Sequence, residues 1–224
     1  MAGITWTSRG LRIVTLLWAA VALALAGCAP LPVGVTPPQA PGSTSGTVVE
    51  APAADLALAR TDMPAGFQLA AERESDREYV ALYLRPSALE TEASGGNTLL
   101  SVMTSIGVYT TTVDAEQIYA KSAGGAAAPE PESAPLISQN ATDVVTAPFA
   151  GAVQGADASE ALRVTYRLMD QTVVEYGHRF RLGNVLAHVV VAAIGNPSEP
   201  ETLLRDARDL VQRQIDHIVE AAGD

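Results

Sequence analysis

Between Thr172 and Leu182 the chain alternates apolar and polar residues ahead of a Gly-Asn pair and an apolar run, Val185–Ile194, and few backbones satisfy that pattern. A period of two places successive side chains on opposite faces of a strand. Val174, Tyr176, Phe180 and Leu182 take one face, and Glu175, Arg179 and Arg181 the other. Gly183-Asn184 reads as a two-residue hairpin turn into Val185–Ile194. Leu182 then faces Val185, and counting outward pairs Phe180 with Ala187, His178 with Val189 and Tyr176 with Val191. On the opposite face Arg179 meets His188, and Arg181 meets Leu186. A slip of one residue would turn every apolar side chain to the wrong side, so this register is strongly specified.

The rest of the chain supplies partners for that hairpin. Ala161–Met169 alternates Leu162, Val164, Tyr166 and Leu168 inward against Arg163, Thr165 and Arg167 outward. Glu78–Arg85 and Thr98–Thr111 read as two further strands. A short helix follows, in which Asp114 and Gln117 resemble a capping box and Ile118 and Tyr119 face the sheet. Ser198–Ala222 is the strongest helix, with Ser198 and Glu201 as a capping box and Leu204, Ala207, Val211, Ile215, Ile218 and Ala222 in a narrow stripe. These elements predict an α+β fold: a mainly antiparallel sheet with two helices packed on one face, in two β-β-α-like halves. The domain spans 55–224, interrupted by an Ala/Pro/Glu-rich insert at 122–135. Glu72, Glu74, Asp76 and Glu78 read as a solvated acidic rim before the first strand.

Before the domain, Arg9 and Arg12 precede an apolar run, Ile13–Ala24, that ends in Leu25-Ala26-Gly27-Cys28. About a dozen apolar residues are too few to span a bilayer comfortably, and small residues before a cysteine suit a processing peptidase. This segment resembles the leader of bacterial prolipoproteins. The resemblance implies a signal peptide at 1–27, acylation of Cys28 and a lipid-anchored protein on the extracytoplasmic face of a cell membrane or outer membrane. Residues 28–54 are dense in Pro, Gly, Ser and Thr and read as a tether.

Composition narrows the function. Cys28 is the sole cysteine, so no intramolecular disulfide, thiol chemistry or cysteine metal site is available to the domain. The net charge of −11 becomes −13 once Arg9 and Arg12 are removed. Such a surface repels phosphate backbones and excludes nucleic acid as a partner.

Asp62-Met63-Pro64-Ala65-Gly66-Phe67 before the first strand, and Phe180-Arg181-Leu182-Gly183-Asn184-Val185 before the final strand and helix, resemble small α+β domains of exported lipoproteins. These belong to the broad group of PsbP/Mog1-like and kinase extracellular-sensor-like folds, and the shared motifs look structural.

No histidine has a metal-ligand partner at the usual spacing, no serine sits in a nucleophile elbow, and no glycine loop fits a phosphate. The reading is no catalytic residue, no metal and no cofactor. His178 falls on the core parity, and His217 lies outside its helix stripe and reads as solvated. His188 shares a face with Arg179 and Arg181, where positive charge would depress its pKa and form a ligand or anion contact. Leu186, Val190 and Ile194 on that same face need a cover: a helix, the insert or a ligand. The expectation is a non-catalytic binding or interaction module of the cell envelope. It is held to the membrane through acyl chains on Cys28, and its partner is an envelope protein or an apolar small molecule. The alternatives are a carrier of an apolar ligand and an exported enzyme with a dispersed site around His188 and Arg179.

Overall fold

The computed structural model of the chain describes residues 48–89, 98–126, 141–148, 153–168, 171–195 and 201–223. In chain order these form α1 (Ala53–Leu56), a 3-10 turn (Arg60–Asp62), β1 (Gln68–Glu74), β2 (Glu78–Leu84), a second 3-10 turn (Pro86–Leu89) and β3 (Thr98–Val108). There follow α2 (Thr112–Ala126), β4 (Ala141–Pro148), β5 (Ala158–Leu168), β6 (Gln171–Leu182), β7 (Val185–Ile194) and α3 (Glu201–Gly223). Residues 1–47, with the leader and Cys28, lie outside the described residues, as do 127–135 of the insert and the Ser198 cap.

The strands make one sheet in the order β1-β2-β3-β7-β6-β5-β4, and every neighbouring pair is antiparallel. The β6–β7 hairpin has the register that the alternation requires, from Leu182 opposite Val185 to Tyr176 opposite Val191. Gly183 sits at φ +57 in the first turn position, where a side chain would be strained. β3 pairs with β7 at the centre and joins the two halves.

Each half holds more strands than the β-β-α units expected. The additions are β1 and β4, the two edges. The residues that read as an acidic rim, Glu72 and Glu74, belong to β1, and Glu78 begins β2. Edge strands are largely solvated and so carry no apolar alternation; β1 is exposed at five of its seven positions.

Burial divides the sheet into two apolar faces. On the inner face Val185, Ala187, Val189, Val191 and Ala193 of β7 pack with Val174, Tyr176 and Phe180 of β6 and Val102 and Ile106 of β3. Leu203, Ala207, Leu210, Val211, Ile215 and Ile218 of α3 cover them. The stripe that defines this helix is the face that packs, as the sequence periodicity requires.

The outer face holds two smaller clusters, one around Leu82, Leu84, Met103 and Val190, the other around Leu100, Tyr166, Val173, Ala192 and Ile194. Both helices were expected on one face, but α2 lies on the outer one. Its Tyr119 stacks on Arg179, whose cross-strand partner is His188. The outer face of the central strands is itself apolar at Met103 and Val190, and on β5 Val164 and Tyr166 oppose Glu175 and Val173 and so face outward as well, which leaves the sheet needing cover on both sides.

Thr111 caps α2. Its hydroxyl accepts from the Asp114 N–H at 3.1 Å and donates to the Asp114 carboxylate at 2.8 Å. The cap thus falls one turn before the Asp114/Gln117 pair, and the helix absorbs residues 122–126 of the predicted insert. Tyr119 faces the sheet, while Ile118 is 38% exposed.

Residues 48–58 form a strap across the inner face, with Val49, Ala53, Leu56 and Leu58 in the core. The packed region therefore begins ahead of the expected boundary at 55. The strap's irregular backbone has no ladder to pair with, so side chains satisfy it. Asn184, 1% exposed in the hairpin turn, accepts from the Val49 N–H at 2.7 Å and donates to the Val49 carbonyl at 2.9 Å and the Tyr109 carbonyl at 2.6 Å. Gln214, fully buried on α3, accepts from the Leu58 N–H at 3.3 Å and the Thr104 hydroxyl at 2.7 Å, and donates to the Leu56 carbonyl. The Tyr83 hydroxyl donates to the Leu58 carbonyl at 2.9 Å.

Gln214→Leu keeps the volume and strands three buried polar groups, so urea unfolding should show a loss of about 3 kcal/mol. A loss below about 1 kcal/mol would mean the strap is held by apolar packing alone.

Candidate functional site

Under α2 a polar row crosses the outer face. Ser105 of β3, His188 of β7, Arg179 of β6 and Glu160 of β5 are successive cross-strand partners. The antiparallel register alone brings them together, because residues directly opposite share a face.

Arg179 is the hub of this row. Its Nη2 lies 2.5 Å from Glu160 Oε1 and donates to the Tyr119 carbonyl at 3.4 Å. Its guanidinium carbon sits 4.8 Å from the Tyr119 ring centroid, a cation–π contact. Burial pushes the Glu160 carboxyl up, with the Arg179 charge opposing it, and burial likewise raises the Tyr119 phenol. Two residues on, Arg181 Nη1 donates to Asp157 Oδ2 at 3.1 Å and to the Gly183 carbonyl at 3.1 Å, while Asp157 Oδ2 also accepts from the Gly183 N–H at 2.8 Å.

Beside this hub lies His188, half-buried. Gly177 gives its ring room, since a Cβ there would come within 3.3 Å of Nε2. Burial first, then the Arg179 charge and His178, lower its pKa to about 4. The imidazole is therefore neutral at ordinary pH.

The structure thus brings His188, Arg179 and Arg181 to one face, and adds the carboxylates that meet their charge. An anion entering here would have to displace Glu160 from Arg179 or Asp157 from Arg181. The row acts as a clamp: it fixes α2 to the sheet through Arg179 and fixes the β6–β7 turn through Arg181. Glu160 and Asp157 were missed because the alternation of β5 is recognisable only from Ala161. Extending that strand by three residues brings Glu160 opposite Arg179.

The other histidines differ from each other. His178 is buried on the core parity at 2% exposure. His217 is half-buried, not solvated as its place outside the helix stripe suggests. Its Nδ1 lies 3.3 Å from the Ala57 carbonyl and its Nε2 3.7 Å from Asp62 Oδ1, so it bridges α3 to the strap.

Glu175 is a buried carboxylate on the outer face of β6. Its alternation places it on the outer face, where polar residues were expected to be solvated, yet it is 6% exposed. The Tyr166 hydroxyl donates to its Oε1 at 2.6 Å. Burial raises its pKa to about 7, with the Tyr166 bond opposing that rise.

A cavity of about 190 Å³ opens between the Arg60–Asp62 turn and α3, walled by Asp62, Asp206, Asp209 and Arg213 over Met63 and Leu210. Asp62 is engaged there, accepting from the Ala59 N–H at 2.7 Å. Among the described residues no three His, Cys, Asp or Glu side chains converge as a metal centre requires.

No protein-family model and no curated protein matches the sequence. Among solved structures, the chain is similar to the Saccharomyces cerevisiae Ran-binding protein Mog1p, at 14% identity over 70% of this chain and 85% of that one, with a TM-score of 0.30. It is likewise similar to a point mutant of Mog1, at 14% identity over 70% and 86%, with a TM-score of 0.28. No residue role carries across at that level of similarity.

The lowered His188 pKa gives a signed prediction. The folded state disfavours its charged form, so its contribution is present above the unfolded pKa near 6.5 and is lost as pH falls through about 4. Relative to His188→Asn, the wild-type protein should lose about 2 kcal/mol of unfolding free energy between pH 7 and pH 4. Parallel urea titrations at several pH values measure this, and identical pH profiles would place His188 in water. Separately, Arg179→Ala should cost about 2 kcal/mol by leaving Glu160 unpaired, and adding Glu160→Gln should restore part of that loss.

Proposed function

We propose that this chain is a lipid-anchored envelope protein, acylated at Cys28, whose α+β domain is a non-catalytic interaction module. The observation that carries this is Leu25-Ala26-Gly27-Cys28, placed directly after a basic and apolar leader and holding the chain's sole cysteine. Acyl chains contribute about 0.8 kcal/mol per buried CH₂, so two or three of them anchor a protein stably. Among the described residues no helix is long and apolar enough to cross a membrane, and the anchoring assigned here falls to the leader and Cys28.

The strap starts the packed domain by Val49, which leaves residues 29–47 between anchor and domain. Nineteen residues reach at most roughly 60 Å when fully extended. That reach suits a domain that meets partners near the membrane surface.

The clamp under α2 supports interaction over catalysis. Arg179 and Arg181 are ion-paired and His188 lies beneath a helix, so the face that offered the best chemistry serves to hold α2. It also favours a protein partner over a carried apolar ligand, because α2 already occupies the place where cargo would sit on that face.

Cys28→Ala should abolish incorporation of an alkyne-tagged fatty acid and move the protein out of the lipid-modified membrane fraction, with the circular dichroism of the domain unchanged. Continued fatty-acid labelling of the variant would rule out Cys28 as the anchor.

A further inference from the structure

Glu175 is 6% exposed, opposite Val164 and Ala192 on the neighbouring strands, with Tyr166 as its hydrogen-bond donor and the Leu100, Val173 and Ile194 cluster on the same face. Apolar enclosure of an ionised carboxylate costs several kcal/mol unless cations or several donors meet it. Every element packed around it bears on that point. β5 presents Tyr166, and β7 presents Ala192, with His188 four residues further along. β6 itself places Arg179 four residues away, where it pairs with Glu160. β3 presents Leu100 and Ser101, and β4 presents Ala141 and Val144, with Asp143 exposed beside them. The Pro86–Leu89 turn presents Ala88, with Arg85 ahead of it. Burial raises the Glu175 pKa, and the Tyr166 bond opposes that rise.

We propose that Glu175 is a proton-operated latch that keeps the outer-face cluster at this end of the sheet closed when it is neutral and loosens it when it ionises. The parts free to move are the covers, since Glu175 stands on β6 between two paired strands. β4 is the edge of the sheet, its register shifts between Thr142 and Val145, and Asp143 adopts φ +55, a conformation that costs a residue with a side chain. Edge strands with a bulge open at lower cost than central ones. Ionisation would therefore release β4 and the Pro86–Leu89 turn while the β3–β7 centre stays paired. The latch does not depend on the anchoring assigned above.

The sign follows from the raised pKa. The contribution of Glu175 is full below the unfolded carboxyl value near 4.5 and is lost as pH rises through about 7. This gradient opposes that of His188 in the acid range, so global unfolding partly conceals it and a local measurement is needed.

Hydrogen exchange by mass spectrometry on the full chain, corrected for the intrinsic pH dependence of exchange, supplies that measurement. Opening of peptides covering 141–148 should rise about 30-fold between pH 5.5 and pH 8 in the wild-type protein. Glu175→Gln, which still accepts the Tyr166 bond, should abolish that rise. Tyr166→Phe removes the bond that favours the carboxylate, so it should move the midpoint to higher pH. A merely structural tyrosine would leave the midpoint in place. Should Glu175→Gln fail to fold, the Tyr166→Phe midpoint decides. Protection in 141–148 that is independent of pH in the wild type, or a Glu175→Gln profile that tracks it, overturns the latch.

Discussion

A sheet that is apolar on both faces cannot rest on a single layer, and this constraint organises the whole domain. β7 shows it most plainly: from Val189 to Ile194 every residue is buried, whichever way it points. Strands covered on both sides are read as continuous apolar runs, with no alternation. One face receives α3 and the strap, and the other receives α2 and the small clusters beside it. With Cys28 the only cysteine, no covalent cross-link shares the work, and burial is the main stabilising term.

Polar side chains do the fastening. Gln214, Asn184 and Tyr83 satisfy a stretch of backbone that runs through the core without a ladder, and each reaches it from a different element. Arg179 and Arg181 perform the equivalent task on the outer face for a helix and a turn. The two systems meet at the β6–β7 hairpin, where Asn184 holds the strap and Gly183 accepts from Arg181. A buried amide or guanidinium stabilises little by itself, but removing it leaves its partners unmet in a medium that cannot replace water.

The hairpin could be read from sequence to the residue, because alternation along β6, a two-residue turn and an apolar run to meet it leave one register. The α3 stripe was equally plain. Three things were not. β1 and β4 are solvated on their edges, so nothing in their side chains repeats. The side on which α2 packs depends on its hold on Arg179 of β6, a contact that no periodicity of the helix itself marks. The strap, rich in Ala and broken by Pro52, has the composition of a linker, and its burial depends on Asn184 and Gln214, which lie more than 130 residues away in sequence. For the candidate site, His188, Arg179 and Arg181 were placed together by counting. Their carboxylate partners were not, since Glu160 and Asp157 lie at and just before a strand start that alternation does not mark. Glu175 was placed on the correct face but not in its enclosure, because a period of two gives direction and not depth.

The attachment of Val49 to Asn184 also sets a mechanical order. Any pull on the chain ahead of Val48 reaches two parallel hydrogen bonds at a hairpin turn before it reaches the sheet or α3. Behind them stand the Gln214 and Tyr83 bonds, so load would be shed one tie at a time from the strap inward. The domain is built like a parcel whose cord ends in a slip knot: tension undoes the wrapping stepwise and leaves the seven-stranded body to the last.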